Sequence, residues 1–274
     1  MNMLEEIADS SNNEALKRFF VDRQDCNILR EDKNKALLRV HHWGEEKIDL
    51  FVKIYKYPHL IHSRIHSWNI MGGAYEYKVC RKLQQLQIPT PEPIGYAVEK
   101  NAIGYPIRSL YAAEWLHQTI TLGSFTRNGH RGIPIKEDRW PELFMDIGRF
   151  VGTLNRKLVN AKDLNVTNIL IQYKPDTPPN FYLVDYESIV FLKKYDLSKC
   201  MKGLSHIGAF FLPRFDDAIL WICKGYISMI SELDLENLVN QVTENSRYRL
   251  QKWKKKIDDI FAVVGNHLNQ NNTE

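Results

Sequence analysis

The sequence predicts an α+β protein in two parts, an antiparallel sheet that carries one helix and then a mostly helical region. Three observations lead to this prediction. Short apolar runs separated by charged or glycine-containing turns fill much of residues 26–114, which is typical of strands. Within that part, the segment 72–87 has apolar residues at spacings of three and four, as a helix does. From residue 138 onward the same helical spacing prevails.

Five strands are predicted, at 26–30, 36–40, 48–55, 94–98 and 107–114. The first three are separated by charged turns and form an antiparallel meander. Before them, the polar segment 1–23 contains a short amphipathic piece at 16–20, which we expect to be helical. The helix at 72–87 ends before the proline-rich segment 88–93, because proline lacks the backbone N–H that a helix requires.

Helices are predicted at 138–158, 201–211, 214–233 and 235–268, the last with a break near Asn245. The polar segment 123–136 contains Arg127, His130 and Arg131 and is predicted as a loop. The elements divide the chain into four expected parts: an N-terminal extension (1–24), an N-terminal lobe (25–116), a C-terminal lobe (117–268) and a disordered tail (269–274).

The composition favours a globular protein outside the membrane. Apolar residues make up 44% and charged residues 26% of the chain. The net charge of +4 suits an acidic ligand or an anionic surface, but it is too small to predict nucleic-acid binding. A transmembrane span is not expected because no apolar run reaches the required length. The acidic, polar segment 1–13 does not have the pattern of a secretory signal.

Two groups of side chains could suggest a metal site, and neither has a convincing pattern. The cysteines are too widely separated for a metal or redox motif, so we expect free thiols in a reducing compartment: Cys26, Cys80, Cys200 and Cys223. His59, His62 and His66 lie in a basic stretch that contains Pro58 and lacks nearby carboxylates. A basic loop that meets phosphates or an anionic surface is favoured over a metal site there.

The segment 161–187 contains the strongest chemical pattern in the chain. Asp163 precedes Asn168 by five positions, and Asp185 follows the apolar run 181–184. Phosphoryl transfer uses this set of groups: one aspartate orients the attacking hydroxyl, while an asparagine and a second aspartate hold magnesium at the nucleotide phosphates. The segment therefore predicts a phosphotransfer site.

Two charged residues upstream fit the same chemistry. Lys53 lies inside the third predicted strand, and Glu76 lies in the first turns of the helix at 72–87. Lys53 is either the solvent-facing residue of a half-exposed strand or a phosphate ligand. Glu76 is either a glutamate that complements the helix dipole or the partner of Lys53. With both residues in place, the order of all five polar groups matches a protein-kinase-like phosphotransferase.

The resemblance can be narrowed to one family. Phe51–Lys56, then a basic loop, then Gly73–Tyr77 at the start of a helix, and then Ile88–Gly95 resemble the lipopolysaccharide kinase family, which includes the Kdo and core-heptose kinases of Gram-negative bacteria. The resemblance implies a two-lobed protein-kinase-like fold and a kinase that uses ATP and Mg²⁺. Its expected acceptor is a sugar hydroxyl of the lipopolysaccharide inner core.

The resemblance also implies a role for each site residue. Lys53 and Glu76 would form an ion pair that positions the α- and β-phosphates, and Glu114 at the end of the fifth strand would contact the nucleotide. Asn168 and Asp185 would hold magnesium, and Asp163 would orient the acceptor hydroxyl. Catalytic roles thus fall on Asp163, Lys53 and Glu76.

The sequence departs from the family pattern at three places. Ala161 stands where a histidine usually precedes the catalytic aspartate by two positions, and we expect its loss to reduce rigidity. The first hairpin turn, 30–35, has no glycine to approach phosphates closely, although Lys33 and Lys35 could replace that contact with charge. The metal aspartate is followed by Tyr-Glu rather than Phe-Gly. A nucleotide-binding pseudokinase therefore remains an alternative reading.

Other acceptors and partners also remain open. A small-molecule kinase is compatible with the pattern, whereas the lack of an Ala-Pro-Glu-like motif after Asp185 disfavours a protein kinase. Lys162 is either a phosphate contact or a solvated loop lysine. The basic run 247–256 is either a solvated face paired with Glu244 or Asp258, or a contact for anionic lipid headgroups.

These features lead to expectations about partners and location. We expect a lipid-linked or core-oligosaccharide sugar as substrate, a possible contact with an anionic membrane surface, no nucleic acid and no obligate protein partner. The expected location is the cytoplasm, with peripheral attachment to the inner membrane as the finer alternative.

Overall fold

The structure, a computed structural model, describes residues 14–23, 25–57, 72–128, 136–174 and 177–270, with side chains described as far as residue 254. Backbone contacts divide the chain into two compact units. The first comprises the described residues up to Ile120 together with 170–172 and 180–189, and the second comprises the described residues in 121–169, 173–179 and from Val190 onward. The histidines of the basic stretch, His59, His62 and His66, lie outside the described residues.

A five-stranded antiparallel sheet forms the first unit, in the order β1-β2-β3-β5-β4. Its strands are β1 (Cys26–Glu31), β2 (Lys35–Trp43), β3 (Ile48–Lys56), β4 (Pro93–Lys100) and β5 (Pro106–Glu114). All five predicted strands are confirmed, and each is one to three residues longer at one or both ends. The extra residues continue the ladder of backbone hydrogen bonds, which the apolar pattern alone does not reveal.

One face of this sheet packs against the 3₁₀ helix Glu14–Phe20. Leu16, Phe19 and Phe20 from that helix join the inward-facing residues of the strands in one apolar cluster, which includes Leu50 and Val52 of β3. Because successive side chains of a strand point to opposite faces, Phe51 and Lys53 belong to the other face. The expected amphipathic piece at 16–20 is therefore confirmed, and it leaves the second face available for polar groups.

Helix α1 (Gly73–Gln85) is attached to β5 at its first residue. A Cβ atom at Gly73 would lie only 2.0 Å from the carbonyl oxygen of Leu110, so no larger residue fits at this close approach. The Gly73 N–H also donates a hydrogen bond of 3.0 Å to Ser109 Oγ. This contact fixes where α1 begins, and with it the position of Glu76 one turn later.

The second unit is mainly helical. Its helices are α2 (Leu122–Asn128), α3 (Trp140–Arg156), α4 (Leu197–Phe211), α5 (Ala218–Ile227) and α6 (Leu235–Gln270). The remaining strands are short, and parts of β6, β8, β9 and β10 belong to the first unit: β6 (Ile120–Thr121), β7 (Val159–Ala161), β8 (Ile169–Lys174), β9 (Thr177–Leu183) and β10 (Ile189–Phe191). β10 pairs with β7, and β6, β8 and β9 form a three-stranded sheet in that order.

The predicted loop at 123–136 is wrong for its first part, which forms helix α2. Thr121 Oγ1 accepts a hydrogen bond from the Ser124 N–H at 3.2 Å, as an N-terminal cap does, and Leu122 and Phe125 are fully buried. Packing of these two side chains overrides the polar composition on which the loop prediction rested. Arg127 lies on this helix, whereas His130 and Arg131 lie outside the described residues.

The break predicted near Asn245 is also wrong, because α6 runs continuously from Leu235 to Gln270. Asn245 Nδ2 donates to the carbonyl oxygen of Gln241, one turn earlier, at 2.7 Å, and its neighbour Ser246 is fully buried. A polar side chain that bonds within its own helix in this way does not terminate the helix.

The boundaries of the two preceding helices also differ from the prediction. Helix α4 begins at Leu197, four residues before the predicted start, because Asp196 caps it by accepting a hydrogen bond from the Lys199 N–H. Helix α5 covers only Ala218–Ile227 of the predicted 214–233, since the segments on either side form turns.

The state of the cysteines and the character of the helices bear on two expectations from the sequence. All four cysteines are free; Cys26 is half-buried and the other three are buried. Among the described residues, no helix combines the length and the apolar character that crossing a bilayer requires.

Candidate functional site

Lys53 occupies the middle of β3, a strand flanked by β2 and β5. Its side chain is on the sheet face opposite the apolar cluster, and only 6% of the residue is exposed. The reading of Lys53 as a solvent-facing residue is therefore wrong. A buried lysine needs charged or hydrogen-bonding partners, because an isolated buried ammonium is very costly.

Three carboxylates surround the Lys53 ammonium. Its Nζ atom lies 2.9 Å from Glu76 Oε1, 2.8 Å from Asp185 Oδ1 and 2.8 Å from Glu187 Oε1. Glu76 is 1% exposed, so it is not an ordinary glutamate of a solvated first helical turn. The expected pairing of Lys53 with Glu76 is present, and Asp185 joins it. We refer to Lys53, Glu76, Asp185 and Glu187 as the lysine cluster.

The turn that carries Asp185 and Glu187 is fixed within the first unit by hydrogen bonds to backbone carbonyl groups. Before the turn, the Leu183 N–H donates to the carbonyl oxygen of Pro89 at 2.9 Å. After it, Tyr75 Oη donates to the carbonyl oxygen of Ile189 at 2.9 Å. Asp185 itself has a left-handed backbone with φ of 64°, which is uncommon for a residue other than glycine and is frequent at functional turns.

Tyr186 and Glu187 stand where the family pattern has Phe-Gly after the metal aspartate, and the Tyr186 side chain still anchors the turn. The Tyr186 ring is buried and packs edge-to-face on Tyr111 of β5, with ring centroids 5.9 Å apart. The buried aromatic ring anchors the turn between its two acidic neighbours. Glu187, which was expected only as a departure from the family's Phe-Gly pair, is therefore a member of the lysine cluster.

Mutual attraction favours the charged forms of Lys53 and Glu187 despite their burial. Burial favours the neutral amine of Lys53, but the three carboxylates outweigh burial and raise its pKa above the ordinary value. Burial opposes ionisation of Glu187, but the ammonium groups of Lys53 and Lys35 outweigh it and lower the pKa of Glu187 to about 2. Burial raises the pKa of Glu76, against the opposing attraction of Lys53.

The acidic members of the cluster form a donor set suited to magnesium. One carboxylate oxygen each from Glu76, Asp185 and Glu187 lie within 4.8 Å of one another. Mg²⁺ prefers oxygen ligands and usually takes one or two carboxylates from the protein. Asp185 and Glu187 fit this preference best, because Glu76 is almost completely enclosed with Lys53.

The first hairpin does not use glycine, and its lysines divide into two roles. Asp32 Oδ1 accepts hydrogen bonds of 2.9 Å from the N–H groups of Asn34 and Lys35, which closes the turn through a side chain. Lys35 then forms an ion pair with Glu187. Lys33 is exposed in the turn. Lys35 is thus tied to the lysine cluster, and Lys33 is the cation left at the hairpin tip.

Glu114 lies on the sheet face opposite Lys53. It pairs with Leu50 across β3 and β5, and residues directly opposite each other in that ladder share a face. Its N–H donates to the carbonyl oxygen of Glu92 at 2.8 Å. Any nucleotide contact from Glu114 would therefore use its backbone carbonyl group rather than its N–H or its carboxylate.

In the second unit, Asp163 and Asn168 belong to one hydrogen-bonded loop. Asn168 Nδ2 donates to the carbonyl oxygen of Asp163 at 3.0 Å, and Thr167 Oγ1 contacts Asn168 Oδ1 at 3.3 Å. The bond to Asp163 uses the amide nitrogen as donor, so the amide oxygen is the atom that could serve as a magnesium ligand. The Asp163 side chain is 58% exposed, so it can meet a substrate from solvent.

A histidine approaches Asp163 from a distant part of the chain. Position 161, where the family usually has a histidine, is an alanine, and this residue is buried in β7. His206 on α4 is 6% exposed, and its Nδ1 atom lies 3.4 Å from Asp163 Oδ1. Burial lowers the pKa of His206 to about 4, with Arg249 and Lys202 acting in the same direction and Asp163 opposing them. His206 is therefore neutral at physiological pH.

An open cavity of about 1050 Å³ lies beside Asp163 within the second unit. Its charged lining residues are Arg127, Asp163, Lys202, Arg249 and Lys252, and aromatic rings such as that of Trp253 also line it. We refer to this space as the basic cavity. The run 247–256 is recognisable in the sequence by its charge, but the sequence does not predict that Arg249 and His206 line one cavity with Asp163.

Curated relatives cover only part of the chain. The chain is 27% identical over 112 residues to a 3-deoxy-D-manno-octulosonic acid kinase of Pasteurella multocida. It is 30% identical over 113 residues to the protein of the same name from Mannheimia succiniciproducens. Each alignment covers 41% of this chain and 42% of the relative, so the similarity spans about two fifths of those proteins.

Solved structures confirm the protein-kinase-like fold. A structure of WaaP in complex with acyl carrier protein matches with a TM-score of 0.60 at 18% identity, covering 88% of this chain and 96% of that one. A complex of Rio2 kinase with ADP and Mg²⁺ from Chaetomium thermophilum, which contains a phosphoaspartate, matches with a TM-score of 0.52 at 13% identity, covering 87% and 75%.

The family comparison covers more of the chain than the curated relatives do. The model of the lipopolysaccharide kinase (Kdo/WaaP) family matches residues 23–190, which include every predicted site residue from Lys53 to Asp185. That match extends over more than half of the sequence, and the chain therefore belongs to the lipopolysaccharide kinase (Kdo/WaaP) family.

Proposed function

We propose that this protein is an ATP- and Mg²⁺-dependent kinase that phosphorylates a sugar hydroxyl, of Kdo or heptose, in the lipopolysaccharide inner core. Family membership supports the reaction class. The observation that carries the proposal is the buried Lys53 ammonium, held within 3 Å of Glu76 and Asp185. The names of the curated relatives favour Kdo over heptose as the acceptor sugar.

The lysine cluster would bind and orient the nucleotide. Lys53, kept protonated by its neighbours, would contact the α- and β-phosphates, and Glu76 would fix the position of that ammonium. Asp185, with Glu187 beside it, would hold magnesium, which neutralises phosphate charge when bound. Asn168, on the loop of Asp163, is the further magnesium ligand that we propose from the family pattern. The carbonyl group of Glu114 would contact the nucleotide base.

Asp163 would act on the acceptor. Its exposed carboxylate would accept a hydrogen bond from the sugar hydroxyl and so orient the attacking oxygen. The hydrogen bond from Asn168 to the Asp163 carbonyl group holds the loop in which the carboxylate is presented. Positioning and charge stabilisation, rather than covalent chemistry, would supply most of the rate.

The test is transfer of labelled phosphate from ATP to defined acceptors by the full-length purified protein with Mg²⁺. Acceptors are a Kdo-bearing lipid A precursor and a heptose-bearing core oligosaccharide. We expect Asp163→Asn and Asp185→Asn each to lower kcat by about 10² to 10⁴-fold. Matched controls are Asp216→Asn in the second unit and Asp25→Asn in the first, both at exposed positions.

Full activity in either site variant would contradict the assigned roles. A second function, a nucleotide-binding pseudokinase, is favoured by Ala161 and by the first hairpin, which lacks glycine. Thermal-shift titration with ATP and Mg²⁺ separates the two functions. Nucleotide binding without transfer to either acceptor would support the pseudokinase.

We also propose that the protein works in the cytoplasm, attached peripherally to the inner membrane, where a lipid-linked acceptor would be found. The exposed residues Tyr248, Lys252 and Trp253 on α6 support this location, because aromatic and basic side chains favour anionic headgroups. Flotation with vesicles that contain anionic lipid tests it. Recovery of the protein only in the unbound fraction, at low and at moderate salt, would contradict membrane attachment.

A further inference from the structure

The basic cavity contains more positive than negative charge. Among the described residues that line it, four are Lys or Arg and one, Asp163, is a carboxylate. None of Arg127, Lys202 and Lys252 has an ion-pair partner within 4 Å among the described side chains. The cavity volume falls at the upper end of the range for small-molecule sites, so a sugar larger than one ring fits.

Arg249 is the most constrained of these cations. Its Nε atom is buried and has no hydrogen-bond partner among the described residues. Burial lowers the pKa of the Arg249 guanidinium from its usual value, and Asp163 opposes that effect. An unpaired buried donor on a charged group is costly, and an anion in the cavity would satisfy it.

We propose that the basic cavity is the acceptor subsite, and that it binds an acidic group of the sugar substrate, a carboxylate or a phosphate, through Arg249 together with Arg127, Lys202 and Lys252. This inference rests on the proposed function and adds the substrate class to it. Guanidinium groups bind carboxylates and phosphates in a fixed geometry, so they orient the sugar as well as attract it.

Asp163 lies where its carboxylate could act on a sugar that the basic cavity holds. Because Asp163 lines the same cavity, an acidic group held at Arg249 would place neighbouring hydroxyls of one sugar near the Asp163 carboxylate. Trp253 and Tyr248, both exposed, add apolar ring surface to the lining, against which the sugar can pack. Attraction at one end and orientation at the other would select acidic sugars over neutral ones.

The test measures binding in the absence of ATP, by NMR titration of the full-length protein. One arm compares the methyl glycoside of Kdo with its methyl ester, and the other compares a hexose 1-phosphate with the free hexose. We expect an acid to bind in at least one arm, and its neutral counterpart to bind about tenfold more weakly. Arg249→Gln and the exposed Lys202→Gln should weaken binding of that acid by about tenfold and severalfold.

The matched control is Arg247→Gln, an exposed arginine on the same helix outside the cavity lining, which should change affinity less than about twofold. The subsite is refuted if neither acid binds, if neutral sugars bind as tightly, or if Arg247→Gln weakens binding as much as Arg249→Gln. Because this readout needs no phosphate transfer, selective binding without activity would contradict the proposed function alone. Transfer without charge preference would contradict the subsite alone.

A separate observation points to a positioning residue for Asp163. We infer that His206, from α4, takes the place of the histidine that Ala161 replaces, by donating from Nδ1 to the Asp163 carboxylate. The two atoms are 3.4 Å apart, and the buried His206 Nδ1 makes no hydrogen bond among the described residues, so a small approach would complete one to Asp163. Helix α4 passes close to this loop at Gly203, where a Cβ would lie 3.3 Å from Leu164 Cβ.

Two substitutions at His206 distinguish positioning from packing. His206→Asn keeps a donor near the Nδ1 position, whereas His206→Leu keeps apolar volume and removes the donor. We expect His206→Leu to lower kcat about tenfold with the KM for ATP unchanged, and His206→Asn to retain most of kcat. Equal kcat in the two variants would overturn the inference, and matched melting temperatures would show that both variants fold.

Discussion

The lysine cluster and the basic cavity are opposite arrangements of charge. In the lysine cluster, one buried ammonium is shared by three carboxylates, and each charge has a partner within 3 Å. In the basic cavity, cations outnumber the one described carboxylate and the space is open to solvent. The first arrangement is completed by folding alone, whereas the second retains positive charge that a ligand can neutralise.

The two regions should therefore differ in what they contribute to stability. Removing one partner from a buried ion cluster leaves uncompensated charge and is strongly destabilising. Removing one exposed cation from a group of like charges has little effect or even relieves repulsion. Four measurements test this difference between the two regions.

The largest expected effect is on the free energy of unfolding. Lys53→Met leaves Glu76, Asp185 and Glu187 without their shared partner, and it should lower stability by about 3–5 kcal/mol. The same substitution at the exposed Lys202 should change stability by less than about 0.5 kcal/mol. Urea unfolding at pH 7 measures both. Similar losses for the two variants would remove the distinction between the regions.

The second effect depends on pH. The folded pKa of His206 is about 4, below its ordinary 6.5, so the unfolded chain takes up a proton first as the pH falls. Stability should therefore be unaffected above pH 6.5 and should fall between pH 6.5 and 4 by about 3 kcal/mol. His206→Asn should remove this component. An unchanged pH dependence of urea unfolding in that variant would show that other groups cause it.

The third effect is the response to salt. Raising NaCl from about 0.05 to 0.5 M screens the open basic cavity and should raise the KM for an acidic acceptor severalfold. The buried lysine cluster is screened much less, so the KM for ATP at saturating Mg²⁺ should change by a smaller factor. Steady-state kinetics at fixed pH compares the two. A larger salt effect on ATP than on the acceptor would reverse the contrast.

The smallest effect concerns the N-terminal cap of α4, a helix that contributes residues to the lining of the basic cavity. Asp196 caps α4, the helix that carries Lys202 and His206. Asp196→Ala should lower the midpoint of urea unfolding slightly, with a modest rise in the acceptor KM. Asp196→Asn, which retains a capping oxygen, should behave like the original protein. Equal destabilisation by both substitutions would show that the cap is not the cause.

The local spacing of apolar residues predicts the strands and the helix of the first unit better than it predicts the helices of the second. The five strands and α1 have regular periodicities and clear turns, so their positions could be predicted to within a few residues. Helix α2 could not, because its helicity depends on burying Leu122 and Phe125 against other elements. Asn245 likewise has a low helix propensity that the long α6 overrides.

The candidate site shows the same division. The identity and order of the reactive groups can be read from the sequence, because the spacing of lysine, glutamate, aspartate and asparagine makes their chemistry recognisable. The sequence also determined the family, through a match that includes those residues. The pairing of Lys53 with Glu76 was expected from that pattern and is present.

The further groups that join them depend on how the chain folds. Glu187 enters the lysine cluster because the buried Tyr186 ring fixes the turn between the two acids. His206 and Arg249 line the same cavity as Asp163, from two helices far along the chain. No local period encodes such a meeting, because it depends on how separate helices pack. Burial, which converts these side chains from solvated charges into constrained ones, likewise exists only in the folded protein.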